Sequence, residues 1–185
     1  MTLPARRPAT YADIVALPEH VVGEILDGEL VTSPRPAPSH AIVATGLAAA
    51  LAPPFQYGDG GPGGWWILVE AELHLGEDVI VPDVAGWRRK HLPTLPEAAH
   101  ITLAPDWICE ILSPSTMRFD RVRKMPLYAR RGVRHSWLID PAARTLEVFR
   151  SEGGQWLVIS AHGGDDIVRA EPFEDIQIPL ARWWG

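Results

Sequence analysis

Three side chains set the chemical question: Asp83 in "VIVPDVAGW", Glu110 in "DWICEILSPST" and Lys124 in "RVRKMPLYARR". Side chains alternate along a strand, so Glu110 shares a face with Ile108 and Leu112 while Trp107, Cys109 and Ile111 take the other. A carboxylate among apolar neighbours takes up a proton unless a cation, a metal ion or several donors meet it. A structural ion pair with an arginine of the following helix is the plainest compensation. Asp83 points further, because it too is an acid set among apolar residues, and Pro82 before it removes a ladder donor and suits a strand start, an edge or a bulge. Two acids converging from neighbouring strands repel each other, and a hard divalent cation that prefers oxygen ligands, Mg²⁺ or Mn²⁺, offsets that repulsion. Such a site activates water and balances charge developing on a phosphoryl group. Lys124 adds an amine. Asp120, Lys124 and Tyr128 are spaced four apart and can line one side of a helix. From there the ammonium orients water or neutralises a transition state, or else it is solvated and paired with Asp120.

Other residues compete for roles nearby. Glu72 and His74 share a face of the strand before Asp83, where Glu72 is a candidate third metal ligand and a polar pair is the simpler reading. His40 begins a helix beside Ser39, and a capping or surface role competes with chemistry there. Arg118, Arg121 and Arg123 crowd the helix of Lys124 and are candidate phosphate contacts, with a solvated helix face as the alternative. The strand tryptophans read as core or dimer-contact residues, and Cys109 as a core residue.

Elements must position these groups. "VVGEILDGELVTS" reads as a hairpin turning at Asp27-Gly28, a dipeptide suited to a type I′ turn. The Pro-rich "SPRPAP" breaks the chain, Ser39 then caps a helix through "HAIVATGLAAALA", and Pro53-Pro54 stops it. "QYGDGGPGGWW" is a glycine-rich loop without the Lys-Ser or Lys-Thr of a phosphate cradle. "WWILVEAELHL", "DVIVPDVAGW" and "DWICEIL" read as three strands. A helix over "TMRFDRVRKMPLYARR" follows, ending at Gly132 and kinked by Pro126 just past Lys124. "RHSWLID", "TLEVFR" and "QWLVIS" read as further strands, the last two in a hairpin, and the tail wraps the sheet.

The bulk properties limit the function classes. The chain has 185 residues, 46% hydrophobic and 22% charged, enough for one domain with a true core. A formal net charge of −6 opposes general coating of nucleic acid, so polyanion binding would rest on the local basic cluster between Thr116 and His135. One cysteine makes no internal disulfide, and no apolar stretch of about eighteen residues or secretory h-region occurs, so a cytoplasmic location with no membrane association is expected. No G-x-S-x-G supports serine hydrolase chemistry.

The order helix, three strands, helix, strand, with Pro82-Asp83 and the acid at Glu110, resembles the core of the PD-(D/E)XK nuclease superfamily. More narrowly, "EILDGEL", "VPDVAGW", "CEILSPST", "RVRKMPLYARRGV" and "WLIDP" resemble the Uma-two family of restriction-endonuclease-like proteins over roughly residues 10–150. The resemblance implies an α/β (α+β), restriction-endonuclease-like fold with a mixed central β-sheet flanked by helices. A single domain over 1–185 is expected, with its core at about 38–140, an N-terminal hairpin at 21–33 and a C-terminal β-hairpin extension within 145–185. It further implies a metal-dependent phosphodiesterase, often a homodimer. Leu112 stands where the superfamily's motif lysine normally shares the face of the acid, and the resemblance suggests that Lys124 on the helix has taken that role. Glu24, in the family-like "EILDGEL", would close the site from the hairpin side.

The leading expectation is therefore a Mg²⁺- or Mn²⁺-dependent endonuclease acting on DNA, with Asp83, Glu110 and Glu72 as metal ligands and Lys124 assisting the water and transition state. Glu24, His40 and Tyr128 stand behind them, and Arg118, Arg121 and Arg123 hold the phosphate backbone. Two alternatives stay open: a nucleic-acid-binding or interaction module that kept the fold and lost turnover, favoured by the acidic net charge and the missing strand lysine, and a metal-dependent hydrolase of a small phosphate ester.

Overall fold

A computed structural model describes residues 7–33 and 37–184. Residues 34–36, half of the Pro-rich break, and the first six residues of the N-terminal reading lie outside the described residues. After α1 (Tyr11–Val15), β1 (Val22–Leu26) and β2 (Glu29–Ser33) form the expected hairpin, with Asp27 at φ 50° and Gly28 at φ 77°, the paired left-handed conformations of a type I′ turn. Helix α2 (Pro38–Leu51) buries Val43, Leu47 and Leu51 at four-residue intervals. Its start corrects the Ser39 cap: Pro38 takes the first turn, where no N–H is needed, and Ala37 is the cap residue without a side-chain bond. Nor do Pro53 and Pro54 stop it. The chain continues through a wide π turn, Ala52–Tyr57, whose first positions accept the prolines, and ends at left-handed Gly58.

Two sheets follow. The larger has six strands in the order β11-β10-β9-β8-β6-β3, and the smaller five in the order β2-β1-β5-β4-β7. Their strands are β3 (Trp65–Val69), β4 (Glu72–Leu75), β5 (Asp78–Ile80), β6 (Val84–Arg88), β7 (His100–Ile101), β8 (Trp107–Ile111), β9 (His135–Asp140), β10 (Thr145–Glu152) and β11 (Gln155–Gly163). β8 and β9 run parallel and the other pairs of the larger sheet antiparallel, so this sheet is mixed as expected. The hairpin β10–β11 extends it through β9.

Two of the expected strands are each broken in two. "WWILVEAELHL" divides into β3 and β4, and "DVIVPDVAGW" into β5 and β6, with the first half of one pairing with the second half of the other. The result is one long hairpin bent so that its tip joins the smaller sheet and its base the larger. Glu70 sits at the bend with φ 49°, its N–H donating to the Asp83 carbonyl at 3.1 Å, while Pro82 cannot donate to a ladder and opens the opposite side. The bend lifts Asp83 out of the pleat.

The central strands of the larger sheet are buried on both faces, while β11 at its edge is largely exposed. Trp107, Cys109 and Ile111 face α2 and the tail, where Phe173 lies 4.6–5.6 Å, ring centre to ring centre, from Phe55, Trp65, Trp107 and Trp137. Ile108 and Leu112 face the opposite core with Met125, Leu127 and Tyr128 and the apolar side of the smaller sheet. The tail does wrap the sheet: β12 (Ile167–Val168) pairs with β13 (Ile178–Pro179), and the 3₁₀ turn Leu180–Trp183 seats Trp183 against Gly46, where an added Cβ would meet the indole at 2.9 Å. α3 (Met117–Phe119), a π turn (Asp120–Lys124) and α4 (Met125–Arg130) form one helical run ending at left-handed Gly132. A widened turn, Asp120–Lys124, lies just before Pro126, which takes one of the first positions of α4 where its missing donor is tolerated.

Candidate functional site

The bend in the long hairpin, the end of β8, the start of α2, the N-terminal hairpin and the α3–α4 run meet around one cavity of about 460 Å³. Five carboxylates line it, from Glu24, Glu70, Asp83, Glu110 and Asp120, against the two basic groups of Lys124 and His40. Glu24, Glu110, Asp120 and Lys124 are each only 2–4% exposed. That excess of acid is the dominant physical fact of the site.

Asp83 is fixed from two sides. Its Oδ2 accepts the Ile111 N–H at 2.6 Å, which ties the bend to the strand carrying Glu110, and its Oδ1 lies 3.0 Å from His40 Nε2. Glu110 points into the α4 side of the sheet, where its Oε1 accepts the Tyr128 hydroxyl at 2.5 Å and lies 3.1 Å from Lys124 Nζ. Lys124 also meets Glu24 Oε1 at 3.0 Å and donates to the Val81 carbonyl at 3.3 Å, so its three protons have three oxygen partners. Glu24 in turn accepts the Val81 N–H at 2.8 Å, clamping the hairpin to the residue beside Pro82.

The titration behaviour follows from burial and crowding. Desolvation, followed by the neighbouring acids Asp83, Asp120 and Glu24, raises Glu110 well above the ordinary carboxylate range, against the pull of Lys124. Asp120 rises to about 6, chiefly because it is buried, with Lys124 and a hydrogen bond to Thr116 opposing. Burial works against the Lys124 charge, but Glu110, Glu24, Asp120 and Asp83 together outweigh it and hold the ammonium above its usual pKa. Lys124 is thus a permanent cation. It is suited to balancing charge and unsuited to accepting a proton. Burial likewise lowers His40, yet its bond to Asp83 and the Asp83, Glu70 and Asp120 charges raise it overall.

The structure gathers Asp83, Glu110, Lys124, Glu24, His40 and Tyr128 and leaves out Glu72. Glu72 lies on β4, beyond the bend, bonded to His74 at 2.7 Å, and does not line the cavity. The residue of that strand at the cavity is Glu70, which the straight-strand reading overlooked; the apolar-polar alternation runs unbroken from Val69 to Leu75 and gave no local signal of the bend. The solvated pairing of Lys124 with Asp120 is also corrected, since Lys124 is buried between Glu24 and Glu110. His40 is neither cap nor surface residue: its side chain is 12% exposed and its buried Nδ1 has no partner among the described residues.

The arginines stand outside. Arg121 pairs with Glu147 and Arg123 with Glu29 at 3.1 Å, while Arg118 is exposed. Arg130 and Arg131 are likewise paired, with Asp27 and Asp78. Much of the basic cluster is therefore neutralised within the molecule.

A divalent ion is compatible with this donor set. The donors are oxygens, the carboxylates outnumber the cations, and two of them, Glu110 and Asp120, are held at raised pKa chiefly by burial and further by their acidic neighbours. Asp83 and Glu110 could offer two ligands rather than a closed cage, which would suit an ion that keeps several waters. The trio of possible ligands drawn together within 4.8 Å is a different one, Glu72, His74 and His100. Among the described residues no helix is long and apolar enough to cross a membrane.

Comparison with known proteins agrees with this architecture. A crystal structure of "a putative nuclease belonging to DUF820" from Anabaena variabilis superposes with a TM-score of 0.76 over 96% of this chain and 98% of that one, at 21% identity, which shows a shared fold. No curated protein matches the chain. A family model described as "Putative restriction endonuclease" matches residues 11–181. Matched over nearly its whole length, with acids and a buried lysine converging where a bent hairpin meets the end of a parallel strand, the chain belongs to this family, Uma2, and shares its restriction-endonuclease-like character.

Proposed function

We propose that the protein is a divalent-metal-dependent endonuclease that hydrolyses phosphodiester bonds in DNA. The observation that carries this reading is the acid-rich cavity in which Asp83, Glu110, Glu24, Glu70 and Asp120 face a single permanent cation, Lys124, and a histidine. Asp83 and Glu110 hold Mg²⁺ or Mn²⁺. Bound there, the ion supplies an activated water and Lewis-acid relief of charge on the scissile phosphoryl group. Lys124 contributes fixed positive charge toward that group, since its raised pKa denies it the role of base. Glu24 and Tyr128 position Lys124 and Glu110, and His40 holds Asp83. The hydroxyl-rich turn Ser113–Thr116 forms the cavity wall on the side of Asp120 and is placed to meet a phosphate.

Supercoiled plasmid, linear duplex, single-stranded DNA and RNA incubated with and without Mg²⁺ or Mn²⁺ test this directly. DNA cutting that needs the metal and is lost in Asp83→Asn, Glu110→Gln and Lys124→Met is expected, and metal-independent cutting or unchanged variants would refute the assignment. The pairing of Arg121 and Arg123 with acids weakens the rival of a binding module built on an arginine-rich helix. The reading includes the homodimer that the family resemblance implies, and sedimentation equilibrium should return twice the monomer mass.

A further inference from the structure

A second group of metal-ligating side chains, unused by the chemistry above, lies on the smaller sheet. Glu72 and His74 are two residues apart on β4 and face the same way, and the parallel register sets Glu72 opposite His100 on β7. One ligand atom from each lies within 4.8 Å of the other two, and all three residues are half-buried. The His74 and His100 rings stack at 3.8 Å with an 11° interplanar angle. Tyr11 closes the group from α1, its ring edge-on to His74 at 4.9 Å.

We propose that Glu72, His74 and His100 bind one transition-metal ion of the Zn²⁺ class, and that this ion ties β7 to β4. Two imidazoles and one carboxylate form a donor set that suits Zn²⁺, Co²⁺ or Ni²⁺ and that Mg²⁺ does not favour, so the site is chemically separate from the all-oxygen cavity. Three protein ligands leave a fourth position for water, and half-burial gives that position access to solvent. The ion takes the place of the direct contact between His74 Nε2 and Glu72 Oε1, now 2.7 Å. Parallel rings direct their in-plane lone pairs side by side, so binding tilts the two imidazoles out of their stack. Tyr11 packs its ring against the His74 imidazole from outside.

The fold has a use for such a tie. β7 has two residues and two register partners, it lies at the edge of its sheet, and the connection from β6 to it, residues 89–99, contains no strand. A bond between side chains of β4 and β7 anchors that segment where the ladder is too short to do so.

Calorimetric titration of the chelator-stripped full chain with Zn²⁺ in excess Mg²⁺ tests the proposal. One Zn²⁺ per chain is expected, equally in wild type and Asp83→Ala, with a rise in Tm. His100→Phe keeps a ring for packing but no nitrogen, and is expected to weaken binding by about tenfold or more. Absence of saturable Zn²⁺ binding in the wild type, or undiminished binding in His100→Phe, overturns the assignment, as does loss in Asp83→Ala alone. Should His100→Phe not fold, Co²⁺ loading of the wild type decides: the intense visible absorption of a four-coordinate nitrogen and oxygen site supports the proposal, and a weak six-coordinate spectrum overturns it.

Discussion

Lys124 carries the sharpest consequence at the level of single residues. It is buried with Glu24 and Glu110 as partners, and removing one member of such a group leaves uncompensated charge. Lys124→Met is expected to lower unfolding free energy by about 3–5 kcal/mol in a denaturant titration. The triple variant Lys124→Met/Glu24→Gln/Glu110→Gln should recover most of that loss, which identifies the cost as that of buried charge left unpaired. Asp120 makes a pH prediction. Its folded pKa of about 6 lies above the ordinary value of 3.8, so the folded state holds a proton that the unfolded state has already released between those values. The stability contributed by that proton is full below pH 3.8 and is lost as pH rises through about 6. In Asp120→Asn the fall across this window should flatten, as read from denaturation midpoints at successive pH values. Alternation along β8 and the four-residue spacing of Asp120, Lys124 and Tyr128 were both legible, because each is a local geometric rule. The contact of His40 with Asp83 was not, since it joins residues forty-three positions apart through the packing of α2 on the sheet.

Among the elements, the bent hairpin β3–β4–β5–β6 decides which acids meet. A straight strand through Trp65–Leu75 would have carried Glu72 along the larger sheet, and the turn at Glu70 sends it to the smaller one instead. Pro82 marked the bend in advance as a place where a ladder donor is missing, yet whether that meant an edge, a start or a fold into a second sheet depended on what packs beneath it. The β1–β2 hairpin is the other positioning element, because it carries Glu24. Gly28→Ala places a Cβ at φ 77° and should cost about 1 kcal/mol in thermal or chemical unfolding. The exposed pairs of Arg121 with Glu147 and Arg123 with Glu29 should matter less. Each alanine replacement is expected to change stability by less than about 1 kcal/mol.

For the molecule as a whole, the cavity concentrates acids that a bound cation would relieve. Mg²⁺ or Mn²⁺ should therefore raise Tm, by roughly 2.7 kcal/mol of stabilisation at a hundredfold excess over Kd, and Glu110→Gln should remove the shift. The succession of hairpin, helices and strands along the chain was readable from hydrophobic period and turn dipeptides, while the α/β class, the mixed sheet and the family came from the resemblance carried by the motif series around Asp83, Glu110 and Lys124. These depend on interactions within a few residues, or on motifs whose order survives any detail of packing. The membership of the cavity, with Glu70 and His40 inside and Glu72 outside, emerged only when the strands bent and α2 closed over the sheet. Such choices depend on burial and electrostatic balance among groups distant in the chain, and no local pattern encodes them.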